Sequence, residues 1–160
     1  MFLTTFTRVP IWVWPLFIAL LIVGVRASQK RDSALIVIYA LPLLGLLSLN
    51  RVQSFAQAEL GLSIFFFLHL IGLALGFRIQ GDWIVFKTAR KVTLRGEWFT
   101  FVSVMVLFSG NIVTGIFLNV APTIAGTMAF VIAFGSITGL VSGSLSGRAL
   151  RVAFWPKQPI

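Results

Sequence analysis

The sequence predicts an all-α integral membrane protein, a single domain over 1–160 with five transmembrane helices and a short hairpin-like loop between helices 3 and 4. Three observations lead to this prediction. Hydrophobic residues make up 58% of the chain, charged residues make up 11%, and the mean hydropathy is +1.00, whereas soluble domains are about 45–50% apolar and about 25% charged. Long stretches of the chain lack any charged residue. The basic residues fall almost entirely on one side of the resulting spans.

The spans follow from four charge-free stretches. A transmembrane helix needs about 20 mainly apolar residues, and 9–25, 33–50 and 60–77 each supply one helix. The stretch 98–147 is long enough for two helices. Pro122 predicts a turn between them, because proline disfavours helix at the residue before it. The predicted spans are about 10–26, 33–50, 58–78, 98–119 and 122–147.

The basic residues predict the orientation, because positively charged loops stay in the cytoplasm. With five spans, eleven of the 13 Lys and Arg residues share one side, and only Arg8 and Arg51 lie on the other. The N-terminus is therefore expected outside and the C-terminus inside. We interpret the net charge of +9 as this topology signal together with attraction to anionic headgroups, and not as nucleic-acid binding. The predicted headgroup contacts are Arg26, Arg78, Arg90, Lys91, Arg148 and Arg151.

The individual elements carry local signals in chain order. Trp12 and Trp14 lie at the outer end of span one, where indole rings prefer the membrane interface. Asp32 is placed to cap the N-terminus of span two, and Pro42 inside that span predicts a kink. Between spans three and four, two β-rich stretches at 83–88 and 91–95 predict a cytoplasmic hairpin.

His69 lies near the middle of span three, where an ionisable residue is a candidate for function. Met105 in span four and Thr138 in span five fall at a similar depth, and Asn111 is a polar residue within span four. One interpretation is that His69 hydrogen-bonds Thr138 or Asn111 between helices. A second is that His69 and Met105 ligate a haem. A third places His69 on a transport path.

Span five contains a repeat of small residues, with glycine at every fourth position. Four residues slightly exceed one helical turn, so these glycines form a nearly straight groove on one face. Another helix can approach closely along such a groove. The pattern predicts tight packing against another span or another subunit. The groove consists of Gly135, Gly139, Gly143 and Gly147.

The composition excludes several classes of site. The chain has no cysteine, one histidine and four acidic residues. Disulfides, structural zinc, iron–sulfur ligation and thiol catalysis therefore lack their residues, and so do carboxylate pairs within the membrane, because the acidic residues lie at span ends or in loops. We predict no catalytic residues, no metal and no cofactor, with haem as the one alternative.

Four segments carry a resemblance to a known family. The chain resembles a family of small proteobacterial inner-membrane proteins that is described only as a domain of unknown function. The resemblance implies a free-standing bacterial inner-membrane protein, and it implies no activity. The matching segments are P-I-W-V-W-P-L-F at 10–17, S-L-N-R-V-Q-S at 48–54, G-E-W at 96–98 and G-L-V-S-G-S-L-S-G-R-A-L-R at 139–151.

These observations favour a non-enzymatic, multi-pass membrane protein that binds lipid or a membrane partner. A homo-oligomer or a partner subunit is expected, because a bundle of this size offers no large cavity alone. Two alternatives remain open. One is a small-molecule or ion transporter or channel subunit with His69 in the path, and the other is a haem-binding redox protein that uses His69.

Overall fold

The computed structural model describes residues 13–88 and 90–156, and long apolar helices dominate it. The helices are numbered α1 to α7 and the strands β1 to β3. In chain order they are α1 Val13–Ala27, β1 Arg31–Ala34, α2 Leu35–Ala40, α3 Leu44–Gln53, α4 Ala58–Gln80, β2 Ile84–Lys87, β3 Lys91–Leu94, α5 Phe99–Val120, α6 Pro122–Ala125 and α7 Met128–Phe154, with 3-10 turns at Leu41–Leu43 and Gly81–Trp83.

Four helical segments among the described residues are long and apolar enough to cross a membrane. This agrees with the predicted helical, multi-pass fold. The apolar part of α1 is shorter, at Phe17–Ala27, and the beginning of the predicted first span lies outside the described residues. The four segments are Leu35–Gln53, Ala58–Trp83, Phe99–Val120 and Met128–Phe154.

The second span is interrupted at Pro42, as the sequence predicts. A 3-10 turn at Leu41–Leu43 joins α2 to α3, because proline has no N–H to donate to the carbonyl of Ile38 one turn earlier. The predicted helix cap at Asp32 is wrong. Asp32 lies in β1, where its Oδ1 accepts a hydrogen bond from Thr93 Oγ1 at 2.6 Å, because the residues before this span pair with a strand.

The last span differs from the predicted range 122–147. Pro122–Ala125 is a separate short helix, and α7 begins at Met128 after Thr127, whose Oγ1 accepts a hydrogen bond from the Phe130 N–H at 3.3 Å. The helix then continues through Arg148 to Phe154. The helix can continue past Arg148 because this side chain is buried and its charge is paired with Glu97.

A three-stranded antiparallel sheet in the order β1-β3-β2 covers one end of the bundle. The predicted hairpin is present as β2 and β3, with a bulge between Ile84 and Phe86. The sequence did not predict the third strand, β1, which pairs along the other edge of β3. We call the segments 26–34, 78–98 and 148–156 the sheet end. Its apolar core consists of Ile38, Ile84, Val92, Leu94, Ala149 and Val152.

Helix α1 lies along α5 and extends the bundle sideways. Leu20, Val104 and Phe108 are buried together at this contact, and the ring of Phe17 stacks on Phe108 with 5.3 Å between centroids. The contact brings the C-terminal end of α1 beside the first turns of α5. The helix that precedes β1 and the helix that follows β3 are therefore in contact.

Candidate functional site

The most concentrated polar cluster lies at the sheet end, around an ion pair between Arg148 and Glu97. Arg148 Nη2 donates to Glu97 Oε1 at 2.6 Å, and both side chains are buried. Arg148 Nη1 donates to Thr100 Oγ1 at 2.8 Å, and its Nε donates to Gln80 Oε1 at 2.5 Å. Glu97 Oε2 accepts the Thr100 N–H at 2.8 Å, and the Thr100 hydroxyl donates to Glu97 Oε1.

Aromatic rings cover the guanidinium of Arg148. Its Cζ lies 4.8 Å from the Trp83 ring centroid and 5.5 Å from that of Phe99, which are distances at which a cation is attracted to a ring face. The predicted headgroup contact of Arg148 is therefore wrong. Helix α7 does not end before Arg148, as the sequence predicted, but places it inside the bundle. There its charge is paired with Glu97.

A small cavity lies beside this cluster. Its volume is about 20 Å³, and its wall includes Ile38, Gln80, Thr100, Leu145 and Arg148. A buried water needs about 10–15 Å³ of such space, so the cavity has room for one water and not for an organic substrate. The cluster therefore joins the ends of α4, α5 and α7.

His69 lies in the interface between α4 and α7. Its Nδ1 is 3.0 Å from Ser142 Oγ, and its ring stacks on Phe65 with 5.7 Å between centroids. The predicted partners were Thr138 or Asn111, and neither is the partner seen. The Thr138 hydroxyl donates to the carbonyl of Phe134 one turn earlier in its own helix, at 2.6 Å.

Asn111 and Met105 have contacts with residues other than His69. Asn111 Nδ2 donates to Ser48 Oγ at 2.8 Å, which joins α5 to α3, and to the Leu107 carbonyl at 2.7 Å. Met105 packs against the cluster at the contact between α1 and α5. The proposed haem ligands, His69 and Met105, therefore have separate sets of contacts in the structure.

The glycine face of α7 packs against α4 of the same chain. A Cβ on Gly139 would lie 2.5 Å from the Phe65 carbonyl oxygen, one on Gly135 would lie 3.1 Å from that of Gly61, and those on Gly143 and Gly147 would overlap the backbones of His69 and Leu73. Cβ atoms on Gly72 and Gly76 of α4 would likewise overlap the α7 backbone. The partner of the predicted groove is thus another span.

Exposed cations surround the sheet end. Four of the predicted headgroup contacts, Arg26, Arg78, Arg90 and Lys91, are exposed. The guanidinium of Arg151 is half-buried and lies over the rings of Phe77 and Trp155 at 4.9 and 5.3 Å. Two more exposed cations, Lys30 and Arg95, belong to the same end.

Lys87 is basic but is not part of this exposed set. It is 3% exposed, and its Nζ donates to the carbonyls of Val152, Ala153 and Trp155 at 2.5, 3.0 and 2.8 Å. These carbonyls end α7, where a cation also complements the helix dipole. Lys87 therefore fastens β2 to the end of the last helix.

Sequence reasoning missed several members of these contacts, namely Ser48, Gln80, Lys87, Thr100 and Ser142. One signal was available. An acidic residue just before a charge-free apolar stretch is favourable at the N-terminus of a helix, and Glu97 precedes α5 by two residues. The other contacts join residues from distant parts of the chain, and nothing in local spacing identifies them.

Comparisons with protein-family models, characterised proteins and solved structures found no match for this chain. Within 13–88 and 90–156, no group of three or more His, Cys, Asp or Glu side chains is arranged to hold a metal ion.

Proposed function

We propose that this chain is a non-enzymatic, multi-pass protein of the bacterial inner membrane whose sheet end binds anionic lipid headgroups. The observation that carries the proposal is the group of exposed cations at that end. They outnumber the exposed acids there, Asp32 and Asp82, and the third acid of this end, Glu97, is buried and paired with Arg148. The cations are Arg26, Lys30, Arg78, Arg90, Lys91 and Arg95.

The proposal includes five spans, with the N-terminus outside and the C-terminus in the cytoplasm. Helix α1 supports the fifth span, because it lies along α5 and the apolar stretch 9–25 is long enough to continue it. The distribution of basic residues supports the orientation. The resemblance to small proteobacterial inner-membrane proteins supports the bacterial membrane.

Helix lengths support a position of the sheet at the level of the headgroups. Helix α7 has 27 residues, which is about 40 Å at about 1.5 Å per residue, and the hydrocarbon layer is about 30 Å thick. With Met128 at one boundary of that layer, Arg148 falls at the other boundary. The sheet packs on Ala149 and Val152, so its cations lie among phosphates.

The groove formed by the glycines of α7 offers no surface for lipid or a partner, because α4 fills it. An oligomer or a partner subunit would therefore use other surfaces. The contacts of His69 are with Ser142 and Phe65. They favour neither transport through His69 nor haem ligation by His69 and Met105.

Lipid retention measured by native mass spectrometry tests the proposal. We expect the protein to retain phosphatidylglycerol over phosphatidylcholine from an equal mixture, and added salt to weaken this preference. Replacing Arg90 and Lys91 with Gln is expected to lower the preference, by about fivefold for each charge lost. Arg51→Gln, which removes a charge from the opposite end, is the control. Equal retention of both lipids by the unmodified protein would reject the proposal.

A further inference from the structure

Two loops meet at one corner of the sheet end, where α1 leads into β1 and β3 leads into α5. The Glu97 N–H donates to the Ala27 carbonyl at 2.8 Å. A Cβ on Gly96 would lie 2.8 Å from the carbonyl carbon of Gln29, so the two backbones touch there and only glycine fits. We call Arg26, Lys30 and Arg95, which flank this contact, the corner cations.

The corner cations have no acidic partner in the structure. All three are exposed, and none forms an ion pair with a residue in 13–88 or 90–156. Glu97 is the acid nearest to Arg95 in sequence, and it is turned inward to Arg148. Asp32 accepts the hydroxyl of Thr93 across the sheet. Glu97 is therefore withdrawn from the corner cations, which form no ion pair within the described residues.

Exposed apolar side chains adjoin these charges on the side of the bilayer. Gly24 of α1 lies against Phe101 of α5, where a Cβ would be 2.5 Å from Phe101 Cδ2, so the two helices are in close contact. The exposed apolar residues next to the corner are Val25 of α1, Trp98 just before α5 and Val102 of α5, at 45%, 63% and 53% exposure. The three cations match the anionic headgroup of a phospholipid, and the exposed apolar side chains match its acyl chains.

We infer that this corner binds a phospholipid whose headgroup carries two phosphates, as cardiolipin does. A lipid with one phosphodiester would leave two of the three charges unbalanced, whereas two phosphates can each accept hydrogen bonds from an arginine fork with Lys30 between them. The inference rests on the proposed function, since it identifies the site and the lipid class within the general preference for anionic lipid.

Competition between two anionic lipids tests the inference. The full-length protein is offered equal amounts of cardiolipin and phosphatidylglycerol, and the ratio retained is measured by native mass spectrometry. The corner variant replaces Arg26, Lys30 and Arg95 with Gln. The matched control replaces Arg78, Arg90 and Lys91 with Gln, and so loses the same charge from the same end. Melting temperatures show whether both variants fold.

We expect the unmodified protein and the control variant to prefer cardiolipin by about fivefold, for its one additional phosphate, and the corner variant to lose that preference. A variant with Arg26→Lys and Arg95→Lys keeps the charge and is expected to retain most of the preference. Equal losses in the corner and control variants would overturn the inference, as would equal retention of the two lipids by the unmodified protein. Neither result bears on the proposed function, the preference for anionic over neutral lipid, because that preference is measured separately with phosphatidylglycerol and phosphatidylcholine.

Discussion

Arg148 and Glu97 form an ion pair with 2.6 Å between Nη2 and Oε1, and their side chains are only 7% and 6% exposed. Each partner also holds a helix end. Glu97 accepts the N–H of Thr100 in the first turn of α5, and Arg148 of α7 donates to Gln80 at the end of α4. The pair therefore joins three helices at the sheet end. The removal of one partner leaves the other charge buried without compensation.

Glu97→Ala is expected to lower the free energy of unfolding by about 3–5 kcal/mol, which is typical of a buried pair that loses one partner. Reversible unfolding in mixed detergent micelles measures this change. Glu59→Ala is the control, because Glu59 is an exposed acid in the first turn of α4. A similar, small effect of both substitutions would show that the ion pair does not hold the helices together. Replacing both partners, with Glu97→Gln and Arg148→Met, is expected to recover much of the loss.

The ion pair also shows where the sequence is informative and where it is not. Charge-free stretches predicted helices at α4 and α5 nearly to their observed bounds, because the charges that flank these stretches lie at or next to the helix ends. The same rule ended the last span at 147, because a sequence does not show that Arg148 meets Glu97. The break at Pro42 was predictable, since proline lacks an N–H wherever it stands.

Contacts between distant segments account for the rest of what the sequence did not predict. The glycine repeat of α7 indicated a close helix contact, but the choice of α4 as partner depends on the whole bundle. His69 was identified as a candidate by its depth, yet its partner, Ser142, lies one turn beyond the predicted Thr138. β1 was missed because residues 31–34 have no strand pattern of their own, and they become a strand only by pairing with β3.

Gly143→Ala is expected to destabilise the protein by about 1–3 kcal/mol, the usual cost of added volume in a packed core. The new Cβ would overlap the backbone of His69, which cannot move aside as a side chain can. Gly110→Ala is the matched control in another helix, because its Cβ would lie 3.9 Å from Phe134 Cε2, and alanine favours helix there. Melting temperatures of both variants decide the matter. If Gly143→Ala is as stable as the control, α4 and α7 are not packed as closely as described.

Lys87→Met is expected to loosen the end of α7 and its contact with the sheet. The substitution keeps an unbranched apolar stem but removes the donor to the carbonyls of Val152, Ala153 and Trp155. Hydrogen bonds from a charged donor contribute about 1.5–3 kcal/mol, so we expect a loss of that size together with faster amide hydrogen exchange in 150–155. Lys91→Met is the control, since Lys91 is an exposed cation on the neighbouring strand and its loss should leave exchange in α7 unchanged. Unchanged exchange in the Lys87 variant would mean that the sheet is held to the bundle by the apolar cluster around Val92 and Val152 and not by the lysine.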